Sequence, residues 1–308
     1  MIKIVLFLAL SSRVFAFSSE LRLLQEHYYK EVTVNSVYKD RFEHFLSKNC
    51  DDNDHRCEKA LLRKLKNDFK LFKDEKLTNI YEQRLAQTLI SESYWGRVEK
   101  YLKKQKYSFE RSQFITFVDL SKQWLLVLLW YQPHQSFYLL GNDLISSGDM
   151  EREANVTNGE DHYLKTPVGL FQIQSGWRSK GKTLDESGTM PYGQKDRFVF
   201  FFGKQQSIRY NTFDANGSKI SDKESWPLIT DELSFAIHAH KSSTYLGKPF
   251  SHGCIRMSND LNLFLDNNLV LHDKVLDDTT WISTSANPPK NPKNYHLAGS
   301  YLIVVDGL

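Results

Sequence analysis

The spacing of apolar residues changes character once along this 308-residue chain. From about residue 19 to 106 they recur every three or four positions. "RCEKALLRKLKNDFKLF" carries Leu61, Leu62, Leu65, Phe69 and Phe72 with lysines between them, and "LTNIYEQRLAQTLI" repeats the pattern through Leu77, Ile80, Tyr81, Leu85 and Leu89. These are stripes of amphipathic helices that bury one face. After "KYSFERSQ" the apolar residues gather instead into short runs bounded by Gly, Asn, Asp and Ser: "FYLLGNDLISSG", "VGLFQIQ", "RFVFFFG" and "LSFAIHAH". Such runs predict strands. "FITFVDLSKQWLLVLLWY" reads as a hairpin around the polar "DLSKQ", and "SYLIVV" as a closing strand. One helix is expected in "SNDLNLFLDNNLVL", where Leu261, Phe264 and Leu265 follow an Asn/Asp start at helical spacing. The expected fold class is α+β, with a helical N-terminal domain over 17–110 and a mainly β domain over 111–308.

The first sixteen residues stand apart from both textures. "MIKIVLFLALSSRVFA" has a positive start at Lys3, a short apolar run from Ile4 to Leu10, and small residues near Ala16. That is the three-part form of a secretory signal peptide over 1–16; a buried N-terminal strand is the other reading. No later run is apolar for long enough to span a bilayer, so the protein is expected to be exported and not membrane-spanning. Export gives meaning to three cysteines. Cys50 and Cys57 flank the polar "DDNDHR" and can form a disulfide in an oxidising compartment, which leaves Cys254 as an odd thiol. In a reducing cytoplasm all three would be free.

Composition narrows the partners without naming one. A net charge of +3 gives no footprint for nucleic acid. The excess of base is local: residues 56–106 hold 14 Lys or Arg against 7 acids. Solvated helix faces account for most of it, and contact with an anionic wall polymer is the alternative. An aromatic content of 13% favours a substantial β portion.

The chemistry concentrates in "IHAHKSSTYLGKPFSHGCIRMSN", from Ile237 to Asn259. His238, His240, His252 and Cys254 are zinc-ligand types, but none of the recognised zinc spacings is present, and no Cys-x-x-Cys pair exists for redox work. No metal is expected. A nucleophile explains more of the residues. A thiol near neutral pH needs an imidazole to take its proton, and the imidazole needs a third group to orient it. Glycine before the thiol lets the backbone turn sharply, and the amides of Gly253 and Cys254 can face a developing oxyanion.

The stretch resembles the signature of the L,D-transpeptidase catalytic domain, with Ile-His at one end and Ser-His-Gly-Cys-Ile-Arg-Met at the other. Sixteen positions separate His238 from Cys254, as in that family. "TPVGLFQI", from Thr166 to Ile173, is similar to the family's Thr-Pro-x-Gly segment, "VDLSKQWLLVL" to its opening hairpin, and "LLGNDLISSG" to a strand ending in Ser-Thr-Gly. The resemblance covers roughly residues 114 to 260 and does not reach the helical half.

By that resemblance Cys254 is the nucleophile and His238 the general base, with the carbonyl of Ala239 orienting the imidazole. Ser251, His252 and Gly253 complete the motif, and Arg256 either contacts a substrate carboxylate or anchors the loop. His240 has no assigned role. The resemblance implies a cysteine acyltransferase of the bacterial periplasm or cell wall that needs no cofactor. It would cleave the bond before D-Ala in a peptidoglycan stem tetrapeptide and pass the acyl group to an amine. Transfer to water, making an L,D-carboxypeptidase, and attachment or release of an envelope protein lysine are the alternatives; an inactive wall-binding module is a distant one. Carbapenems are expected inhibitors, and an envelope protein or a cell-wall enzyme is the expected partner of the helical half. Two long polar segments depart from the family, at 204–232 and around "DDTTWISTSANPPKNPKN". The first is expected to form a hairpin or lid with "DANG" as its turn.

Overall fold

Two strands buried on both faces form the centre of the molecule. β1 (Gln113–Asp119) and β2 (Trp124–Tyr131) make the expected antiparallel hairpin, in register from Gln113↔Trp130 to Asp119↔Trp124. Their alternate residues enter different cores. Phe114, Val118, Leu125, Val127 and Leu129 face one, while Ile115, Phe117, Leu126, Leu128 and Trp130 face the other. This is why "WLLVLLWY" shows no polar alternation. The turn is held by Asp119, whose Oδ1 accepts hydrogen bonds from the Ser121 and Lys122 amides and the Ser121 hydroxyl. The computed structural model describes residues 62, 63, 65, 66, 89–153, 163–181, 192–240, 245–272 and 297–308. The 1–16 segment, Cys50, Cys57 and the polar stretch 277–294 lie outside the described residues.

Around the hairpin run β3 (Ser136–Ser146), β4 (Gly169–Gln172), β5 (Ser175–Arg178), β6 (Phe198–Tyr210), β7 (Leu228–Ala239), β8 (Ile255–Met257) and β9 (Tyr301–Val305). The sheet order is β4-β9-β1-β2-β3-β8-β7-β6-β5. Strands β4 and β5 stand at opposite ends of that order, yet only Ile173 and Gln174 separate them in sequence. The Ile173 amide donates to the Ser300 carbonyl at 2.8 Å and the Gln174 amide to that of Phe201 at 3.0 Å. One short stretch of chain therefore joins the two ends, and the sheet curls around the larger core.

The helix α1 (Glu92–Gln105) covers the outer core with Tyr94, Val98 and Leu102. Ser91 caps its start, accepting from the Tyr94 amide, and Lys106 ends it in the left-handed conformation. Tyr94 Oη donates to Asp119 Oδ2 at 2.8 Å, tying the helix to the turn of the central hairpin. α1 precedes residue 111, the expected start of the β domain, yet packs on that domain's sheet. Of the other expected helical stripes, residues 62, 63, 65 and 66 are helical, and Leu65 is buried in the larger core.

The helix expected after Cys254 is α2 (Asn259–Asn267), capped by Ser258 and buried through Leu261 and Leu265. Asn262 bonds the Phe198 amide and carbonyl at 2.9 and 2.7 Å, in place of a neighbouring strand. Asp266 receives both terminal nitrogens of Arg178 at 2.7 and 3.1 Å, and His272 Nε2 at 3.0 Å. The 204–232 segment forms the expected hairpin, and its two ends prolong β6 and β7, paired out to Tyr210↔Leu228. Its "DANG" turn closes where the Gly217 amide meets the Asp214 carbonyl at 3.0 Å. Beyond the turn, Lys219 pairs with Glu153, and Lys223 Nζ donates to the Glu151 carbonyl at 3.3 Å.

Candidate active site

The loop that ends in Cys254 is gripped from three sides. The Phe250 and Ser251 amides donate to the Ser147 carbonyl at 2.9 and 2.8 Å, and the Asp149 amide to that of Ser251 at 3.0 Å. The Leu164 amide donates to the His252 carbonyl at 3.1 Å. Thr166, fully buried, completes the grip: its Oγ1 donates to the Gly253 carbonyl at 2.6 Å and accepts from the Gly148 amide at 2.9 Å. Within the loop, Ser251 Oγ donates to the Cys254 carbonyl at 2.5 Å and accepts from the Gly253 amide at 3.0 Å.

That last bond corrects one expectation. The Gly253 amide is not open to an oxyanion, because the Ser251 hydroxyl already holds it. Gly253 is required for its backbone: φ is +136°, and a Cβ there would come within 2.7 Å of the Phe235 ring.

β7 and β8 fix the strand register around His238 and Cys254. They pair in parallel through Ile237↔Ile255 and His238↔Arg256, so Cys254, just before β8, lies beside Ala236. The side chain of His238 is 3% exposed, and its Nδ1 donates to the Ala239 carbonyl at 2.8 Å. This bond leaves Nε2 as the proton acceptor. Burial, with the charges of Arg256 and His240 adding to it, pushes the imidazole down to about 3 despite the bond to Ala239. Burial also raises the half-buried Cys254 thiol, opposed by a backbone hydrogen bond from Ala236 and by Arg256. At neutral pH Cys254 is therefore a thiol and His238 an uncharged imidazole.

The other motif residues take different places. His252 stacks on Tyr163, with centroids 4.1 Å apart and planes at 13°. Arg152 lies over that tyrosine at 4.4 Å and over Phe250 at 4.0 Å. Its Nη1 donates to the Phe250 carbonyl, which also accepts from Arg256 Nη1. His240 is buried at the end of β7, its amide on the Met257 carbonyl at 2.9 Å. Among the described residues no cluster of three or more His, Cys, Asp or Glu side chains is arranged to hold a metal, and no helix is long and apolar enough to cross a membrane.

Three contributors escaped the sequence reading. Thr166 was in view within "TPVGLFQI", but its hold on the nucleophile loop spans 87 residues. Arg152 carried no signal. Tyr192, whose ring centroid lies 5.1 Å from that of His238, stood in a polar stretch with no apolar period.

Gly148 offers a direct check of this packing. A Cβ there would lie 2.1 Å from the Leu164 carbonyl and 2.8 Å from Gly253 Cα, both backbone atoms that cannot swing aside. Gly148→Ala is expected to cost about 2–3 kcal/mol, read as a lower melting temperature, and to slow Cys254 alkylation by displacing its loop.

No curated protein matches the chain. Among solved structures it is similar to an L,D-transpeptidase (residues 123–326) from Xylanimonas cellulosilytica, at 16% identity, covering 67% of this chain and 68% of that one with a TM-score of 0.27. It is also similar to Bd1075 of Bdellovibrio bacteriovorus, at 14% identity over 64% and 49% of the two chains with a TM-score of 0.32. The third is the helical cell shape determining protein Pgp2 of Campylobacter jejuni, at 15% identity over 65% and 50% with a TM-score of 0.31. The match spans about half the length of the latter two proteins. The profile of the L,D-transpeptidase catalytic domain (YkuD) matches residues 114–279, from β1 through the Thr166 anchor, His238 and Cys254 to beyond α2. With more than half of the 308 residues inside that match, this chain belongs to the L,D-transpeptidase catalytic domain family.

Proposed function

We propose that the protein is a cysteine acyltransferase acting on peptidoglycan stem peptides. The observation that carries the reading is the uncharged His238, its Nδ1 tied to the Ala239 carbonyl, on the strand whose Ala236 amide bonds the free thiol of Cys254. Nε2 of His238 accepts the thiol proton as Sγ attacks the carbonyl before the terminal D-Ala of a stem tetrapeptide. The tetrahedral oxyanion faces the Cys254 amide, the donor that remains once Gly253 is held by Ser251. The imidazolium returns its proton to the departing D-Ala nitrogen, leaving a thioester on Sγ. An amine from a second stem then attacks, gives its proton to His238, and releases the thiol with a new peptide bond. The steps use no metal or organic cofactor.

Arg256 is two residues from Cys254 and in register with His238, and is the group for a substrate carboxylate. Family membership supports peptidoglycan as the substrate and a role in the cell wall and cell shape. Export to the periplasm or cell wall through a 1–16 signal peptide, a Cys50–Cys57 disulfide, and a partner-docking role for the segment preceding α1 complete the proposal. With α1 packed on the sheet, we include it in the proposed catalytic unit.

Incubating the protein with purified tetrapeptide muropeptides and weighing the products tests the reaction. Cross-linked dimers with loss of D-Ala are the expected result. Free tripeptide alone would reassign the acyl acceptor as water, and unchanged muropeptides would reject both reactions.

A further inference from the structure

We infer that Tyr192 is a positioning residue of this site: its ring is the cover that keeps water from the His238 imidazole. The inference rests on the proposed roles of Cys254 and His238 and adds a residue to them. The Tyr192 ring meets that of His238 edge-on, with centroids 5.1 Å apart and planes at 67°. Behind it stands Trp177 of β5, 5.8 Å away at 76°. Tyr192 is 39% exposed while His238 is 3% exposed, so the tyrosine forms the outer layer and the histidine the inner one.

The chain beside Tyr192 is fixed in place. Gly193 has φ +78°, and a Cβ there would lie 2.6 Å from both Ala239 Cβ and Asn259 Oδ1. That contact presses the backbone against the end of the strand that carries His238. The Gln194 amide donates to Asn259 Oδ1 at 2.9 Å, and Asn259 Nδ2 donates to the His240 carbonyl at 3.3 Å. Tyr192 is thus hung from both β7 and the first residue of α2.

The charges of Arg256 from β8 and His240 from its own strand act on His238, while those of Cys254 from the loop and Arg256 act on Tyr192, whose ring meets His238. Burial, followed by the influence of Cys254, raises the Tyr192 hydroxyl above its ordinary value, so it stays neutral and acts by excluding water. Desolvation is the leading cause of both the lowered His238 and the raised Cys254. Admitting water relaxes both and brings the thiolate and imidazolium into reach.

The test is the pH dependence of Cys254 alkylation by iodoacetamide in the intact protein, read on the Cys254 peptide by mass spectrometry. Tyr192→Ala is expected to lower the midpoint by about one pH unit, with roughly tenfold faster labelling below it. Tyr192→Phe keeps the ring and is expected to follow the wild type. A Tyr192→Ala profile that superimposes on the wild type overturns the inference, as does a Tyr192→Phe profile shifted equally far. His238→Ala separates the two layers of the argument. If it leaves the profile unchanged, the pairing of His238 with Cys254 fails and the inference falls with it; if it alters the profile while Tyr192→Ala does not, only the role of Tyr192 is lost.

Discussion

Cys254→Ala is expected to lower the rate of D-Ala release from tetrapeptide stems by about 10⁴-fold or more, as losing the attacking atom does in other covalent catalysts. The fold should survive, because Cys254 is half-buried and its loop is held by Ser147, Leu164, Thr166 and Ser251, which the substitution leaves intact. His238→Ala is expected to cost about 10²–10⁴-fold, the range for a positioned general base. The pH profile gives a sharper check than either loss. An ordinary histidine would switch on near pH 6.5, whereas His238 is held down to about 3 and is a vacant base through the mildly acidic range. The acid limb of kcat/KM is therefore expected below pH 5. An acid limb near 6.5 in the wild type, or full activity in Cys254→Ala, would remove the assignment.

Asp266→Ala carries the largest expected loss of stability. Its carboxylate is 3% exposed and joins Arg178 of β5 to α2 and to His272. Burial alone would raise Asp266, but hydrogen bonds and charge from His272 and Arg178 outweigh it and hold the group below the usual carboxylate range. Removing it strands a guanidinium in the interior, at a cost of about 3–5 kcal/mol. In a domain of this size that is a fall of roughly 10 °C in the melting temperature. The sign against pH follows from the lowered value: the contribution is present above the unfolded carboxylate range and is lost as pH falls through the folded one. His238 acts over a higher window, since the unfolded chain binds its proton from about 6.5 downward and the folded chain only near 3. Urea melts should therefore show stability declining from pH 6.5. His238→Ala should flatten the upper part of that decline, and Asp266→Ala the part below about pH 4.

Much of the β domain was legible because its strands are bounded by turn chemistry. β1, β2 and β9 appear where the apolar runs lie, and α2 follows its Asn/Asp start. The missing part is topological. Nothing in "VGLFQIQSGWR" announces that it supplies β4 and β5, the opposite ends of the sheet, since closure depends on partners such as Ser300 and Phe201 far along the chain. The length of β6 and β7 was hidden for another reason: Lys204–Tyr210 and Leu228–Ser234 are only partly buried, so their apolar period is weak. At the site, the motif pointed to Cys254 and His238, while the Gly253 amide was misread because motif spacing carries no information about the direction of a serine hydroxyl. Thr166 and Tyr192 act across the fold, where a one-dimensional pattern has no reach.

The position of β9 has a consequence in time. It lies between β1 and β4, in parallel with the first strand of the sheet and antiparallel with the strand that follows the Thr166 anchor. During synthesis the stretch Tyr301–Val305 is made after His238 and Cys254, so β1 and β4 have no partner on that side until it emerges. A nascent chain that already contains Cys254 and His238 therefore still has an unfinished sheet. Closure of the sheet between β1 and β4 therefore comes after the residues of the candidate site have been made.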